Sequence, residues 1–295
     1  MIILSVLGYG QVLHDLRKYK RMSKQELAEG ICTEDELIKF EKEKEYPRID
    51  QLHNFAVKLS VDLSYFYALT SKTPHNYTSV VFDLINKYKR ERNYKAIQDI
   101  IKMERDNPLF KETTLKQYLL WHEGICTYHV DKEFDRAKEI LYSAIHLTNP
   151  SRKNLAEREI EILTSIAILH IEVKDYRHAI TILIESLANL DRLPNIIDPR
   201  SKLRVMFALS QALTHIKEFE ESLKYSKKGI ELCIQYETLY LFSEFHYQTG
   251  ENYIELGEKE LGTNYINTSI NFLKTQKNDY LVKYIEQELE KLLNK

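Results

Sequence analysis

Met22-Ser23-Lys24-Gln25-Glu26-Leu27-Ala28-Glu29-Gly30-Ile31-Cys32-Thr33-Glu34-Asp35-Glu36-Leu37-Ile38-Lys39-Phe40-Glu41 decides how the N-terminal part of this chain folds. Ser23 and Thr33 each stand three residues before a glutamate. Each hydroxyl can accept from that glutamate's amide while the carboxylate returns to the cap amide, so each starts a helix. Gly30 ends the first helix, because a left-handed backbone costs glycine little. Two short helices joined by a turn of about three residues make a helix-turn-helix, the second short enough to enter a major groove.

Working outward, the apolar spacing predicts helices near 8–20, 23–30, 33–42, 49–58 and 62–69. On the third, Leu37 and Phe40 face inward, and Glu34, Asp35, Ile38, Lys39 and Lys42 face out. Arg17 and Glu41 flank inward positions on helices that must cross, which predicts a buried ion pair between them. Thr70-Ser71-Lys72-Thr73-Pro74-His75-Asn76 reads as a linker, since Pro74 turns Thr73 away from helix. The expected division is a DNA-binding domain at 1–70, a linker at 71–77 and a regulatory domain at 78–295.

The rest of the chain repeats. A small residue recurs as Ala96, Ala137, Ala179, Ser222 and Gly262, preceded by the aromatics Tyr94, Phe134, Tyr176 and Phe219 at the first four. A partner helix upstream carries Gly124, Ala167, Ser210 and Gly250, and a second small set follows as Ala144, Ser186, Gly229 and Ser269. Small residues at matched positions let paired helices approach closely, which is the tetratricopeptide pattern with longer inter-repeat loops, such as 193–199. Five helix pairs are expected. The segment from Asp279 to Leu293, with Leu281, Ile285, Leu289 and Leu292 in one stripe, caps the array. The fold class is all-α: a helix-turn-helix domain, then a right-handed five-repeat tetratricopeptide-like solenoid with a capping helix.

The first helix of each pair should line the concave face. Its inner stripe would be Tyr118, Trp121, Ile125 and Tyr128, then Glu161, Thr164, Ile168 and Ile171. Arg204, Phe207, Gln211 and Thr214 follow, then Glu244, Tyr247, Glu251 and Ile254. A strip of aromatic, amide and charged side chains suits an extended peptide.

Composition narrows the function. Eight Gly and six Pro in 295 residues favour helix. Three distant cysteines without a Cys-x-x-Cys pair indicate reduced thiols in a cytoplasm. Met1-Ile2-Ile3-Leu4-Ser5-Val6-Leu7 is too short, and lacks the basic flank, for a signal peptide. No apolar run is long enough to span a membrane. The ten histidines hold no metal-ligand spacing on one helix, and His122 and His129 read as a packed face. Nucleotide-binding glycine loops and nucleophile elbows are missing, so catalysis, a cofactor and a metal are not expected.

Residues 1–70 carry ten Lys/Arg and eleven Asp/Glu, so the first domain is not basic overall. Its cations are clustered instead, with Arg17, Lys18, Lys20, Arg21 and Lys24 at one corner. The expected DNA-facing set is Ser23, Lys24, Thr33, Glu34, Asp35, Ile38, Lys39, Lys44 and Arg48. Lys24, Lys44 and Arg48 are placed for phosphates; Glu34 and Asp35 can accept from cytosine N4, and Ile38 can meet a thymine methyl.

With these elements in order, the chain resembles the Rap, NprR, PlcR, PrgX and Rgg family of peptide-responsive quorum sensors. Its N-terminal part is similar to the lambda-repressor-like helix-turn-helix class. Ile31-Cys32, Tyr46-Pro47, Phe66-Tyr67, Phe219-Glu220-Glu221-Ser222 and Tyr247-Gln248 followed by Gly250-Glu251 carry the likeness. The resemblance implies a homodimer that binds palindromic double-stranded DNA as a transcriptional activator. A short signalling peptide in the repeat groove would control it. It also implies that Tyr67, Arg90, Arg92, Thr164, Glu244 and Tyr280 hold that peptide, joining Trp121, Arg204, Phe207, Gln211 and Tyr247 from the spacing argument. The family's polar recognition positions become Glu34, Asp35 and Ile38 here, so the DNA sequence read should differ. Glu43 replaces a helix-ending Gly, at about 1 kcal/mol if its backbone is left-handed. The competing expectation is a peptide-controlled protein-interaction scaffold whose helix-turn-helix no longer reads DNA.

Overall fold

The structure, a computed structural model, describes residues 9–63, 66 and 75–294. Among these residues there is no strand, only helices and turns. Most of the expected helix at 62–69, most of the linker at 71–77, and Tyr67 lie outside the described residues. The chain divides into two compact units, Met1–Arg92 and Asn93–Lys295.

The first unit contains α1 (Tyr9–Tyr19), α2 (Lys24–Ala28), α3 (Glu34–Glu41), α4 (Ile49–Leu59) and α5 (His75–Arg90). Both capping boxes form. Ser23 Oγ accepts from the Glu26 amide at 3.1 Å while Glu26 accepts from the Ser23 amide at 2.6 Å. Thr33 and Glu36 repeat the exchange at 3.2 and 2.8 Å. Glu29 and Gly30, the latter at φ 76°, close α2. Val12, Leu13, Leu27, Leu37, Phe40, Leu52, Phe55 and Leu59 meet in one core, with Phe40 edge-on to Phe55.

Two features seat α3 against α1. A Cβ on Gly10 would collide with the Phe40 carbonyl oxygen and lie 2.9 Å from that of Glu41, so glycine alone permits the approach. Beside it, Arg17 Nε donates to Glu41 Oε1 at 2.6 Å and Nη2 donates to Oε2 at 3.0 Å, with side chains 4% and 5% exposed. The remaining guanidinium edge donates to the Met22 carbonyl at 3.0 Å. The expected buried ion pair therefore exists, and it is bidentate. Glu43 does adopt the left-handed backbone, at φ 56°.

The second unit begins with α6 (Tyr94–Glu104) and a turn of 3₁₀ helix at Pro108–Lys111. Four helix pairs follow: α7 (Thr113–Asp131) with α8 (Phe134–Thr148), α9 (Glu157–Glu172) with α10 (Tyr176–Arg192), α11 (Pro199–His215) with α12 (Phe219–Gln235), and α13 (Phe242–Glu255) with α14 (Lys259–Thr275). The closing helix is α15 (Asp279–Leu293). First helices touch one another in succession, α7 to α9 to α11 to α13 to α15, and so form one layer of a tetratricopeptide-like solenoid.

The small residues sit where the paired helices meet. Ala137, Ala144, Ala167, Ala179, Ser186, Ser210, Ser222 and Ser269 are fully buried. A Cβ on Gly250 would lie 2.5 Å from the Gly262 carbonyl oxygen, and one on Gly262 would lie 2.5 Å from that of Gly250. These two backbones are therefore in contact. Leu141 fills the space beside Gly124, and the Phe245 ring lies against Gly229.

Each turn within a pair uses one left-handed residue: Lys132, Lys174, Lys217 and Gly257, with φ between 61° and 91°. Arg92, before α6, has the same geometry at φ 53°. The loop expected through residue 199 is shorter than read, because Pro199 opens α11 and Asp198 caps it by accepting from the Arg200 amide at 3.0 Å.

Candidate functional site

Two surfaces concentrate the functional candidates, one in each unit. In the first, α3 shows Glu34, Asp35 and Lys39 to solvent, with Ile38 half-buried and Leu37 and Phe40 in the core. Ser23 and Thr33 serve the helix starts through their caps. Lys44 is exposed and Lys24 half-buried. Two of the expected DNA-facing cations already have carboxylate partners. Lys39 Nζ lies 2.8 Å from Glu45, and Arg48 forks onto Asp50 at 3.1 and 2.8 Å. The Arg48 fork holds the Asp50 carboxyl down to about 2, far below its ordinary range. These pairs are exposed, so incoming DNA can compete for both cations.

In the second unit, the half-buried positions of the first helices trace the inner stripe. On α11 this is the full expected set, Arg204, Phe207, Gln211 and Thr214. On α13, Glu244, Tyr247 and Glu251 are half-buried, and Ile254 turns into the core. On α9 the stripe runs through Glu161, Ser165 and Ile168. Thr164 is 1% exposed and donates to the Ile160 carbonyl of its own helix at 2.7 Å. Trp121 is buried as well, its indole N–H donating to Ser165 Oγ at 2.8 Å. Tyr280 is 80% exposed on α15; Arg90 ends α5 and Arg92 occupies its left-handed turn, both exposed.

Polar side chains join neighbouring first helices. Arg204 Nη1 donates to Glu161 at 2.9 Å and Nε to the Tyr240 hydroxyl at 3.2 Å. Burial opposes the Arg204 charge, yet Tyr240 and Glu161 hold the guanidinium firmly protonated. Left-handed Leu241, at φ 59°, reverses the chain between Tyr240 and α13. Thr214 donates to Asn252 at 2.7 Å and accepts from Gln248 at 2.8 Å, and Gln248 also donates to Glu251 at 2.8 Å. Burial, with Glu251, Glu288 and Tyr284 nearby, raises the Tyr247 phenol and keeps it neutral. Ser165, Glu161 as an ion-pair partner, and Tyr240 are the residues that spacing alone missed. A one-residue phase drift hides Ser165, and Tyr240 lies in a loop outside any helical register.

Burial pushes the Cys126 thiol up to about 12 and the Cys233 thiol up to about 11, and it raises Cys32 as well, so all three are poor nucleophiles. Among the described residues no helix is long and apolar enough to cross a membrane.

A helix-turn-helix unit joined to a tetratricopeptide-like array defines the class. The RNPP family C-terminal domain matches residues 82–291, and the chain belongs to this family. Solved structures share the fold along nearly the whole length. Bacillus thuringiensis PlcR, in complex with the peptide PapR7 and DNA, is 22% identical with a TM-score of 0.72, over 97% of this chain and 99% of that one. ComR from S. thermophilus, in complex with DNA and its signalling peptide ComS, is 14% identical with a TM-score of 0.63, over 97% and 99%. The SHP pheromone receptor Rgg2 of Streptococcus dysgalactiae is 17% identical with a TM-score of 0.61, over 96% and 99%. A comparison with curated proteins finds no match.

Proposed function

We propose that this protein is a cytoplasmic, homodimeric transcriptional activator that binds palindromic DNA under the control of a short signalling peptide held in its solenoid. The observation that carries the reading is the half-buried stripe of α9, α11 and α13. It presents Glu161, Arg204, Phe207, Gln211, Glu244 and Tyr247 in succession, as an extended peptide requires. The Arg204–Glu161 pair and the Thr214–Asn252 bond tie these helices together. A peptide that binds one arrangement of the rungs more tightly than another shifts the population between them. Beside the stripe, the proposed peptide contacts include Thr164, Trp121 and Tyr280; Arg90, Arg92 and Tyr67 are added on the family resemblance alone. Thr164 and Trp121 are buried, and in this conformation they act by shaping the floor of the stripe. On DNA, Lys24, Lys44 and Arg48 take phosphates while Glu34, Asp35, Ile38 and Lys39 face base edges, with Ser23 and Thr33 at the helix starts.

Genome-wide occupancy of the tagged full chain in its native cells, with and without the peptides secreted late in growth, tests this reading. Discrete palindromic sites that appear only with peptide are expected. Sites independent of peptide would remove the switch. The absence of sites in both conditions would leave the second reading, an interaction scaffold. The pairing of Lys39 with Glu45 and of Arg48 with Asp50 beside exposed Glu34 and Asp35 favours that second reading. A salt-dependent DNA interaction that is lost in Lys24→Glu with Arg48→Glu separates the two.

A further inference from the structure

At the turn between α9 and α10, three side chains converge that neither the stripe nor the helix-turn-helix uses. His170 Nδ1 lies 2.9 Å from one oxygen of Asp175, and His178 Nδ1 lies 2.8 Å from the other. The two imidazoles stack at 5.7 Å and 28°. One ligand atom from each of the three residues falls within 4.8 Å of the others. The three are graded in exposure: His170 is buried among the helices with Phe134 edge-on to its ring, Asp175 is half-buried, and His178 opens to solvent.

Helix capping does not account for this arrangement. Asp175 stands at the N-cap of α10, where an aspartate ordinarily accepts from an amide in the first turn. The backbone of His178 bears on its carboxyl, but both oxygens make their close contacts to imidazoles. The repeat does not call for imidazoles either. Counted from the left-handed residue of each turn, the places of His170 and His178 are taken by Tyr128 and Arg136, Leu213 and Glu221, and Tyr253 and Leu261 in the other pairs.

We propose that His170, Asp175 and His178 form a binding site for a borderline divalent cation of the Zn²⁺ type. Two imidazole nitrogens and one carboxylate oxygen are the donors such an ion prefers, and the exposed side of His178 leaves a fourth position for water. Coordination at about 2.0–2.2 Å sets the ligand atoms roughly 3.3 Å apart in a tetrahedral set. The two contacts to Asp175 then open by a few tenths of an ångström, while the widest separation, within 4.8 Å, closes toward it. The proton on each Nδ1 moves to Nε2 by a change of tautomer, which frees the Nδ1 lone pair without changing the charge of the ring. The ion then ties the C-terminal end of α9 to the first turn of α10, a clamp on one rung of the solenoid.

The full-length chain, stripped with chelator, is titrated with Zn²⁺ alone by calorimetry, and with Co²⁺ while visible absorption is followed. One equivalent of Zn²⁺ and a d–d band for Co²⁺ bound to nitrogen and oxygen are expected. His178→Ala should weaken binding at least about tenfold and abolish the band. His178 is largely exposed and makes its contacts at the surface, so this variant should keep the wild-type circular dichroism. His170→Gln, checked in the same way, should behave alike. Zn²⁺ binding of equal affinity in wild type and His178→Ala overturns the proposal, as does a wild-type chain that takes up no Zn²⁺ at millimolar concentration.

Discussion

The two units lean on different means to hold their helices together. In the first, α1 and α3 are locked by polar groups that must all be present: the bidentate Arg17–Glu41 pair, its link to the Met22 carbonyl, and a capping box on each of α2 and α3. In the second, the paired helices close because atoms are missing, as at Gly250 against Gly262 and Gly124 against Leu141. A polar lock fails when a partner is taken away, since the remaining charge stays buried. A close backbone contact fails when a carbon is added, since tightly packed neighbours cannot move aside. The first unit should therefore be sensitive to subtraction, with Gly10 its one described site of the other kind, and the paired helices of the second to addition.

The sharpest way to break this contrast is Arg17→Ala. It strands Glu41 in a 5% exposed position and should cost the first unit about 3–5 kcal/mol. Arg17→Met with Glu41→Leu should recover most of that loss. Urea unfolding read by hydrogen exchange in each unit is the measurement, and equal losses in the single and double variants would refute the lock. The same pair gives a pH signature. Burial alone would raise the Glu41 carboxyl, but the Arg17 and His14 hydrogen bonds outweigh it and hold the group below its ordinary 4.5. A depressed carboxyl stabilises fully above its unfolded value and loses that contribution as pH falls through the folded one. The first unit should thus weaken as pH drops below about 4.5, and Arg17→Met with Glu41→Leu should flatten the dependence.

Next in size, Gly250→Val should destabilise the second unit by about 1–3 kcal/mol, with the first unit unaffected in the same exchange experiment. A smaller effect, about 1 kcal/mol, is expected for Thr33→Ala, which removes the cap of α3 and should appear as faster exchange in its first turn. An effect no larger belongs to Gly257→Lys. Nothing lies within 4 Å of a Cβ there, and lysine already adopts the left-handed backbone at the matching positions Lys132, Lys174 and Lys217. Its cost should stay near about 1 kcal/mol; a loss as large as that of Gly250→Val would show that position in the turn, not contact, governs glycine in this array.

Much of this was written along the chain. Ser23, Glu26, Thr33 and Glu36 announce their helices because a capping box closes within four consecutive residues. The ladder from Gly124 to Ser269 is visible because tight helix crossings admit only small side chains, and the crossing recurs with each repeat. The half-buried stripe on α11 was legible for the same reason, since the helix period carries a face across about three turns. On α9 the same counting chose Thr164, and the structure exposes Ser165 instead. The angle at which a helix seats on its neighbours rotates the exposed face by up to one residue, and no local signal records that angle.

What only the tertiary structure decided lies in the turns. Left-handed Lys132, Lys174 and Lys217 lack the glycine or asparagine that ordinarily announces that backbone. The pairing of Lys39 with Glu45 and of Arg48 with Asp50, the reach of Tyr240 to Arg204, and the meeting of His170, Asp175 and His178 all depend on how a turn is bent. Sequence alone determined which helices exist, which faces they bury and that the array repeats, because hydrogen bonds and hydrophobic period act over a few residues. Which polar groups face one another across those helices was left to the packing, because charges act through space and the path of the chain between them is set only once the helices have met.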